Sequence, residues 1–238
     1  MELSINSRLL CFGDSWTAGH GIETDTRWEM DASPPQFIVK LREGNSWPRW
    51  LSNKYDIPFV NMGGCGWGNE WIYGSIKECI DNEMFSKDDL IIVSFSYPYR
   101  YHDKNKYGPV EILFKLYEIL KPYNHYFFNA FYPLLKDEDF DMSMIPHTFI
   151  NPEYTYSDVL IKHEKKTREF VWQQNKRKVW TDNRFSEGHY HPNLNGYKIL
   201  SEYIYSEILN HNNVKNKITT EYTYSEIIKH INVKNKII

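Results

Sequence analysis

"LLCFGDSWTAGHG", residues 9–21, ends a run of four apolar side chains at Gly13 and follows it at once with Asp14 and Ser15. A short apolar run stopped by glycine reads as a strand buried on both faces. The residues after it have two readings. They form either an ordinary polar turn or a turn that presents a serine hydroxyl, together with its own N–H, to a substrate. The tripeptide alone does not choose between them.

Outward from this stretch, apolar runs alternate with helix-like segments. "IPFVNMGG" (57–64), "DLIIVSFSY" (89–97) and "HYFFNAFYP" (125–133) read as further strands. The helical segments are "SWPRWLSNKY" (46–55), with Ser46 as N-cap and Pro48 in the first turn, "NEWIYGSIKECIDNEMF" (69–85), and "VEILFKLYEILK" (110–121), stopped by Pro122. "YSDVLIKHEKKTREFVWQQ" (156–174) and "NLNGYKILSEYIYSEILNHN" (193–212) complete the helices, and "KRKVWT" (176–181) reads as a short strand. Strand and helix alternating four or five times imply an α/β fold, a parallel sheet with helices on both faces. Ligands in such sheets sit at the carboxyl ends of the strands. Gly13 to Ser15, Gly63 to Gly68 and Ser96 to Arg100 all follow strands, so three loops converge on one rim.

The bulk numbers exclude several classes. The 238 residues suffice for one domain with a real core, and a net charge of −3 with 25% charged residues gives no basic surface for nucleic acid. No stretch approaches the roughly 18 apolar residues of a membrane span, and no signal peptide is visible, which reads as a soluble cytoplasmic chain. Three cysteines (Cys11, Cys65, Cys79) give at most one bridge and no metal spacing. Aromatic residues reach 16%, with 18 Tyr and 8 Trp, enough to serve the core and also to line a sugar-binding surface.

Two further stretches complement Ser15. "HYHPNLNGYKIL" (189–200) puts His191 in the loop before the last helix, either as a general base for Ser15 or as an exposed residue beside an Asn193 cap. "NMGGCGWGN" (61–69) supplies glycines after a strand, suited to an oxyanion hole or to a plain turn; it lacks the order and the lysine of a phosphate-binding loop. His189 and His191 form a His-x-His pair, but two ligands do not make a zinc site, and no metal or cofactor is expected.

Taken in order, "FGDSWTAGHG", "NMGGCGWGN" and "HPNLNGY" resemble three of the four blocks of the SGNH, or GDSL, hydrolase family over roughly residues 7 to 210. The resemblance implies a three-layer α/β/α flavodoxin-like sandwich of about five parallel strands and a metal-independent esterase or lipase activity. It assigns the nucleophile and one oxyanion N–H to Ser15, the second oxyanion N–H to Gly66, and the general base to His191. Two positions depart from the family pattern. Pro98 stands about where the third block carries its oxyanion asparagine, and proline has no N–H; Ser96, Tyr97, Arg100, Asn69 and Asn129 are the nearby replacements, and Asp14 is a further substrate contact. The aspartate expected three residues before the histidine is Gly188, which leaves Glu187, or Asp182 as runner-up, to orient His191.

The expected activity is hydrolysis of a small acyl ester, such as acetyl on a carbohydrate, by a Ser15 acyl-enzyme. The alternative is a binding module, carbohydrate-binding or virion-associated, that keeps the fold and a degenerate site. The partner is a small-molecule or carbohydrate ester in the first reading; the sequence gives no oligomeric state. Beyond a domain spanning 1–212 lies a duplicated segment, 213–238. "EYIYSEILNHNNVKNKI" at 202–218 recurs as "EYTYSEIIKHINVKNKI" at 221–237, with 13 of 17 positions identical. Two copies do not make a repeat array, so the second reads as an appended helix or loose tail.

Overall fold

The computed structural model describes residues 7–20, 36–98, 107–130, 132–136, 141–162, 170–172, 178–180, 191–192 and 194–214. Its strands are β1 (Leu9–Gly13), β2 (Phe59–Gly63), β3 (Leu90–Phe95), β4 (Asn124–Asn129), β5 (Phe170–Trp172) and β6 (Lys178–Trp180). Its helices are α1 (Ser15–Ala18), α2 (Gln36–Asn45), α3 (Trp47–Tyr55), α4 (Asn69–Asp81), α5 (Pro109–Leu120), α6 (Tyr156–Lys162) and α7 (Leu194–Val214). The first four strands form one parallel sheet in the order β2-β1-β3-β4.

Because successive strand side chains point to opposite faces, the apolar strands sort into two cores. Leu10, Phe12, Ile91, Val93, Phe95 and Phe127 face α4 and α5, where Ile72, Ile76, Leu113 and Leu116 meet them. Leu9, Cys11, Leu90, Ile92, Tyr126 and Phe128 face the other way, against Trp47 and Leu51 of α3, Tyr156 and Leu160 of α6, and Tyr197, Leu200, Ile204 and Ile208 of α7. The continuous apolar runs thus have the cause expected of them, helices on both faces. The result is the α/β/α sandwich.

Four strands make this sheet among the described residues, where about five were expected. Beyond β4 the described residues add isolated parallel bridges, Phe127 to Phe149 and Asn129 to Thr155. Pro146 and Pro152 flank that stretch, and proline cannot donate to a ladder. The 156–174 helix also needs correction. Its first part is the helix Tyr156–Lys162, whereas Phe170–Trp172 is a strand, antiparallel to β6. Residues 163–169 lie outside the described residues; Phe170, Val171 and Trp172 are strand-favouring residues. The expected strand within 176–181 is present as β6.

Ser46 and Pro48 open α3 as the sequence indicates, although the Ser46 side chain makes no capping hydrogen bond. α7 runs unbroken to Val214, past the 212 boundary, and the second copy of the duplicated segment lies outside the described residues. Among the described residues no helix is long and apolar enough to cross a membrane.

A charged clamp ties the amino ends of β1 and β3. The Arg8 guanidinium donates to both carboxylate oxygens of Asp89, at 3.1 and 2.7 Å, and to the Met84 carbonyl at 2.8 Å. Asp89 also accepts the backbone N–H groups of Arg8 and Ser86. The pair raises the Arg8 pKa from its ordinary value, chiefly through the hydrogen bond to Asp89. The Asp89 side chain is fully buried while that of Arg8 is partly exposed, so removing the carboxylate takes the acceptor from two partly buried backbone donors and from the guanidinium. Asp89→Ala is expected to lower stability by about 2–3 kcal/mol, read as a shift of the urea unfolding midpoint; an unchanged midpoint would show that the clamp contributes nothing net.

Candidate active site

β1 delivers Ser15 to the carboxyl rim. Asp14, fully buried, caps α1 by accepting the Trp16 N–H at 2.9 Å through Oδ1. Ser15 is then the first residue of α1, 3% exposed. β2 ends beside it. The Asn61 side chain donates to the Thr17 carbonyl at 2.8 Å and accepts the Gly63 N–H at 3.0 Å, binding α1 to the second glycine-rich loop. Gly63 has to be glycine: a Cβ there would fall 2.4 Å from the Ala18 nitrogen and 2.8 Å from the Thr17 carbonyl carbon. Gly66 lies at φ 75°, the left-handed region that disfavours other residues.

The third component comes from the far end of the chain. Nε2 of His191 lies 2.9 Å from Oγ of Ser15, across 176 residues of sequence. His191 lies three residues before the start of α7, whose Tyr197, Leu200 and Ile204 are buried against the sheet. Docking of α7 therefore carries the imidazole to the serine. A hydroxyl and an imidazole at this distance can exchange a proton, which a nucleophilic serine requires.

The other expected site residues fall into two groups. Asn69 and Ser96 are brought together, though as each other's partners. The Asn69 side chain accepts the Ser96 N–H at 2.8 Å and donates to the Ser96 carbonyl at 3.3 Å. Its amide holds the loop after β3 in place. Asn129 does the same after β4, donating to the Pro152 carbonyl at 2.6 Å and accepting the Leu134 N–H at 3.0 Å. Tyr97 is exposed beside Tyr132, with ring centroids 5.4 Å apart. Arg100, Asp182 and Glu187, and with them His189 and Asn193, lie outside the described residues.

Sequence reasoning passed over three contributors. His20 packs on His191 with ring centroids 5.6 Å apart, Arg42 of α2 reaches the His20 ring, and Tyr197 of α7 donates to the His20 carbonyl at 2.7 Å. Only the position of His20, five residues after Ser15, could have signalled its part. None of the three cysteines is in a disulfide; burial pushes the Cys11 thiol well above its ordinary pKa. Among the described residues no three His, Cys, Asp or Glu side chains gather as a metal site requires.

No protein-family model matches the sequence, and no curated protein matches it. Solved structures do match. A lipolytic-family G-D-S-L protein from Desulfitobacterium hafniense superposes with a TM-score of 0.50 at 15% identity, covering 84% of this chain and 98% of that one. An acetyl xylan esterase from Geobacillus stearothermophilus gives a TM-score of 0.49 at 17% identity, with 87% and 97% covered. A psychrotrophic esterase from Pseudoalteromonas gives 0.47 at 13% identity, with 87% and 98% covered. The likeness to the Desulfitobacterium protein spans nearly the whole of it, and the chain has the fold of the SGNH, or GDSL, hydrolases.

Proposed function

We propose that this protein is a serine esterase that cleaves a small acyl ester, an acetyl group on a carbohydrate being the favoured substrate. The reading is carried by the 2.9 Å contact between Ser15 Oγ and His191 Nε2. Ser15 attacks the ester carbonyl as its proton passes to His191 Nε2. The tetrahedral oxyanion is held by the backbone N–H groups of Ser15 and Gly66. The same proton moves from Nε2 to the departing alcohol, leaving the acyl group on Ser15. Water then attacks the acyl-enzyme, gives a proton to Nε2, and releases the acid as Ser15 recovers its hydrogen. Glu187, or failing it Asp182, orients the imidazole. A lipolytic protein of the G-D-S-L family shares this fold at 15% identity, consistent with the reading.

A third oxyanion donor is missing from the expected place. Pro98 has no N–H, and the Asn69 amide is engaged at Ser96. Loss of one such donor typically costs about 10²–10³ in turnover, so a slow or narrowly specialised enzyme is expected. The same two features favour a second reading, a binding module on a degenerate site. That module would bind an acetylated oligosaccharide by calorimetry and release no acetate.

With p-nitrophenyl acetate as substrate, Ser15→Ala is expected to lower kcat about 10³-fold or more while leaving the unfolding midpoint unchanged. Equal rates for the two proteins would remove the assignment. Gly63→Ala tests the framework instead of the chemistry. Its methyl group displaces α1, and a misplacement of about 1 Å can cost about 10²-fold in kcat/KM. A native kcat/KM for Gly63→Ala would show that the approach of β2 to α1 does not position Ser15.

A further inference from the structure

His20 occupies a place for which the proton-transfer scheme gives no reason. It follows α1 directly, its N–H donates to the Ser15 carbonyl at 3.0 Å, and its ring lies against His191 with an interplanar angle of 36°. Nη1 of Arg42, on α2, lies 3.0 Å from the His20 Nε2. A guanidinium has donors and no acceptor. The His20 Nε2 therefore carries the lone pair in this contact, and the ring proton sits on Nδ1. Protonating Nε2 would set N–H against N–H beside a fixed positive charge, so Arg42 holds His20 neutral.

The arrangement bears on His191 as well. The Arg42 cation stands one imidazole ring behind the base that must be unprotonated to take the Ser15 proton. Like charges oppose one another, so a permanent cation on that side disfavours the imidazolium form of His191. The titratable and charged groups that bear on this ring pair include Asp14 at the start of α1, Arg42 on α2 and Tyr197 on α7. The Glu187 carboxylate assigned above to His191 acts in the opposite sense to Arg42, so the contribution of Arg42 is the shift seen when it is removed. The Asp14 carboxyl is fully buried and engaged with the Trp16 N–H. The Tyr197 hydroxyl is spent on the His20 carbonyl at 2.7 Å, which also fixes α7, and so His191, relative to His20.

We propose that Arg42 and His20 form a positioning pair for the serine–histidine couple: Arg42 fixes His20 as a neutral Nδ1–H ring packed on His191, and its charge favours the proton-accepting form of His191. The pair rests on the esterase reading above. It extends the pH range of the base downwards, because a cation nearby lowers the pH at which His191 takes up a proton. Sequence alone hides it, since Arg42 lies 22 residues beyond His20.

The test is the pH dependence of kcat/KM for p-nitrophenyl acetate in the native protein, Arg42→Lys and Arg42→Gln, with the His191 titration followed by imidazole nitrogen NMR in Ser15→Ala backgrounds. Lysine keeps the charge and a donor; glutamine keeps a donor and loses the charge. Arg42→Gln is expected to move the acid limb and the His191 titration upwards by about half a unit or more, while Arg42→Lys stays near native. His20→Phe, which keeps a ring and loses the nitrogen that Arg42 grips, should shift the limb in the same direction. A uniform loss of rate with an unmoved acid limb and an unmoved NMR titration would reduce the pair to packing and overturn the proposal. A native protein that hydrolyses nothing would instead sink the esterase reading, and the NMR titration would still decide whether Arg42 acts on His191.

Discussion

Burial of β1 between two parallel neighbours is the constraint from which the rest of the molecule follows. It pairs with β2 along one edge and β3 along the other, and Leu9, Cys11 and Phe12 are at most 1% exposed. Side chains alternate between two different cores, so a register slip of one residue would exchange Leu10 and Phe12 with Leu9 and Cys11. It would also move Ser15 by about 3.3 Å along the strand direction, more than a hydrogen bond to His191 tolerates. Packing on both faces therefore does chemical as well as structural service: it fixes where the hydroxyl stands.

The rim above the sheet is held by amide side chains. Asn61 joins Thr17 to Gly63, Asn69 clasps the backbone of Ser96, and Asn129 links Leu134 to Pro152. An asparagine offers a donor and an acceptor on one short planar group, so each can satisfy two backbone groups where the chain leaves a strand. Engaging amides in this way stiffens the loops around Ser15. It also explains why Asn69, close to the position of the missing oxyanion asparagine, serves the loop after β3. The wall beyond it is aromatic, with Tyr97 against Tyr132 and Lys136 over the Tyr132 ring at 5.0 Å.

Much of this was legible in the sequence because it rests on local chemistry. Apolar runs ended by glycine marked β1 and β2, and "DLIIVSFSY" announced a strand covered on both faces. Ser15 and His191 stood out as a hydroxyl and an imidazole able to pair, and they lie 2.9 Å apart, while Gly66 was singled out only through the family resemblance. The failures have long-range or competing causes. Phe170 to Trp172 was read as the end of a helix, and its pairing with Lys178 to Trp180 makes it a strand instead. Arg42 and Tyr197 converge on His20 from helices far apart in the chain, and no spacing rule encodes such a meeting.

The central claim is that the Ser15 hydroxyl is activated by the imidazole that α7 brings to it. Labelling with a fluorophosphonate, followed by peptide mapping, reads that activation directly, since an unassisted serine is a poor nucleophile. The account predicts one adduct, on Ser15, formed rapidly by the native protein and at least about 10²-fold more slowly by His191→Ala. No adduct, an adduct on another serine, or the same rate with and without His191 would contradict it.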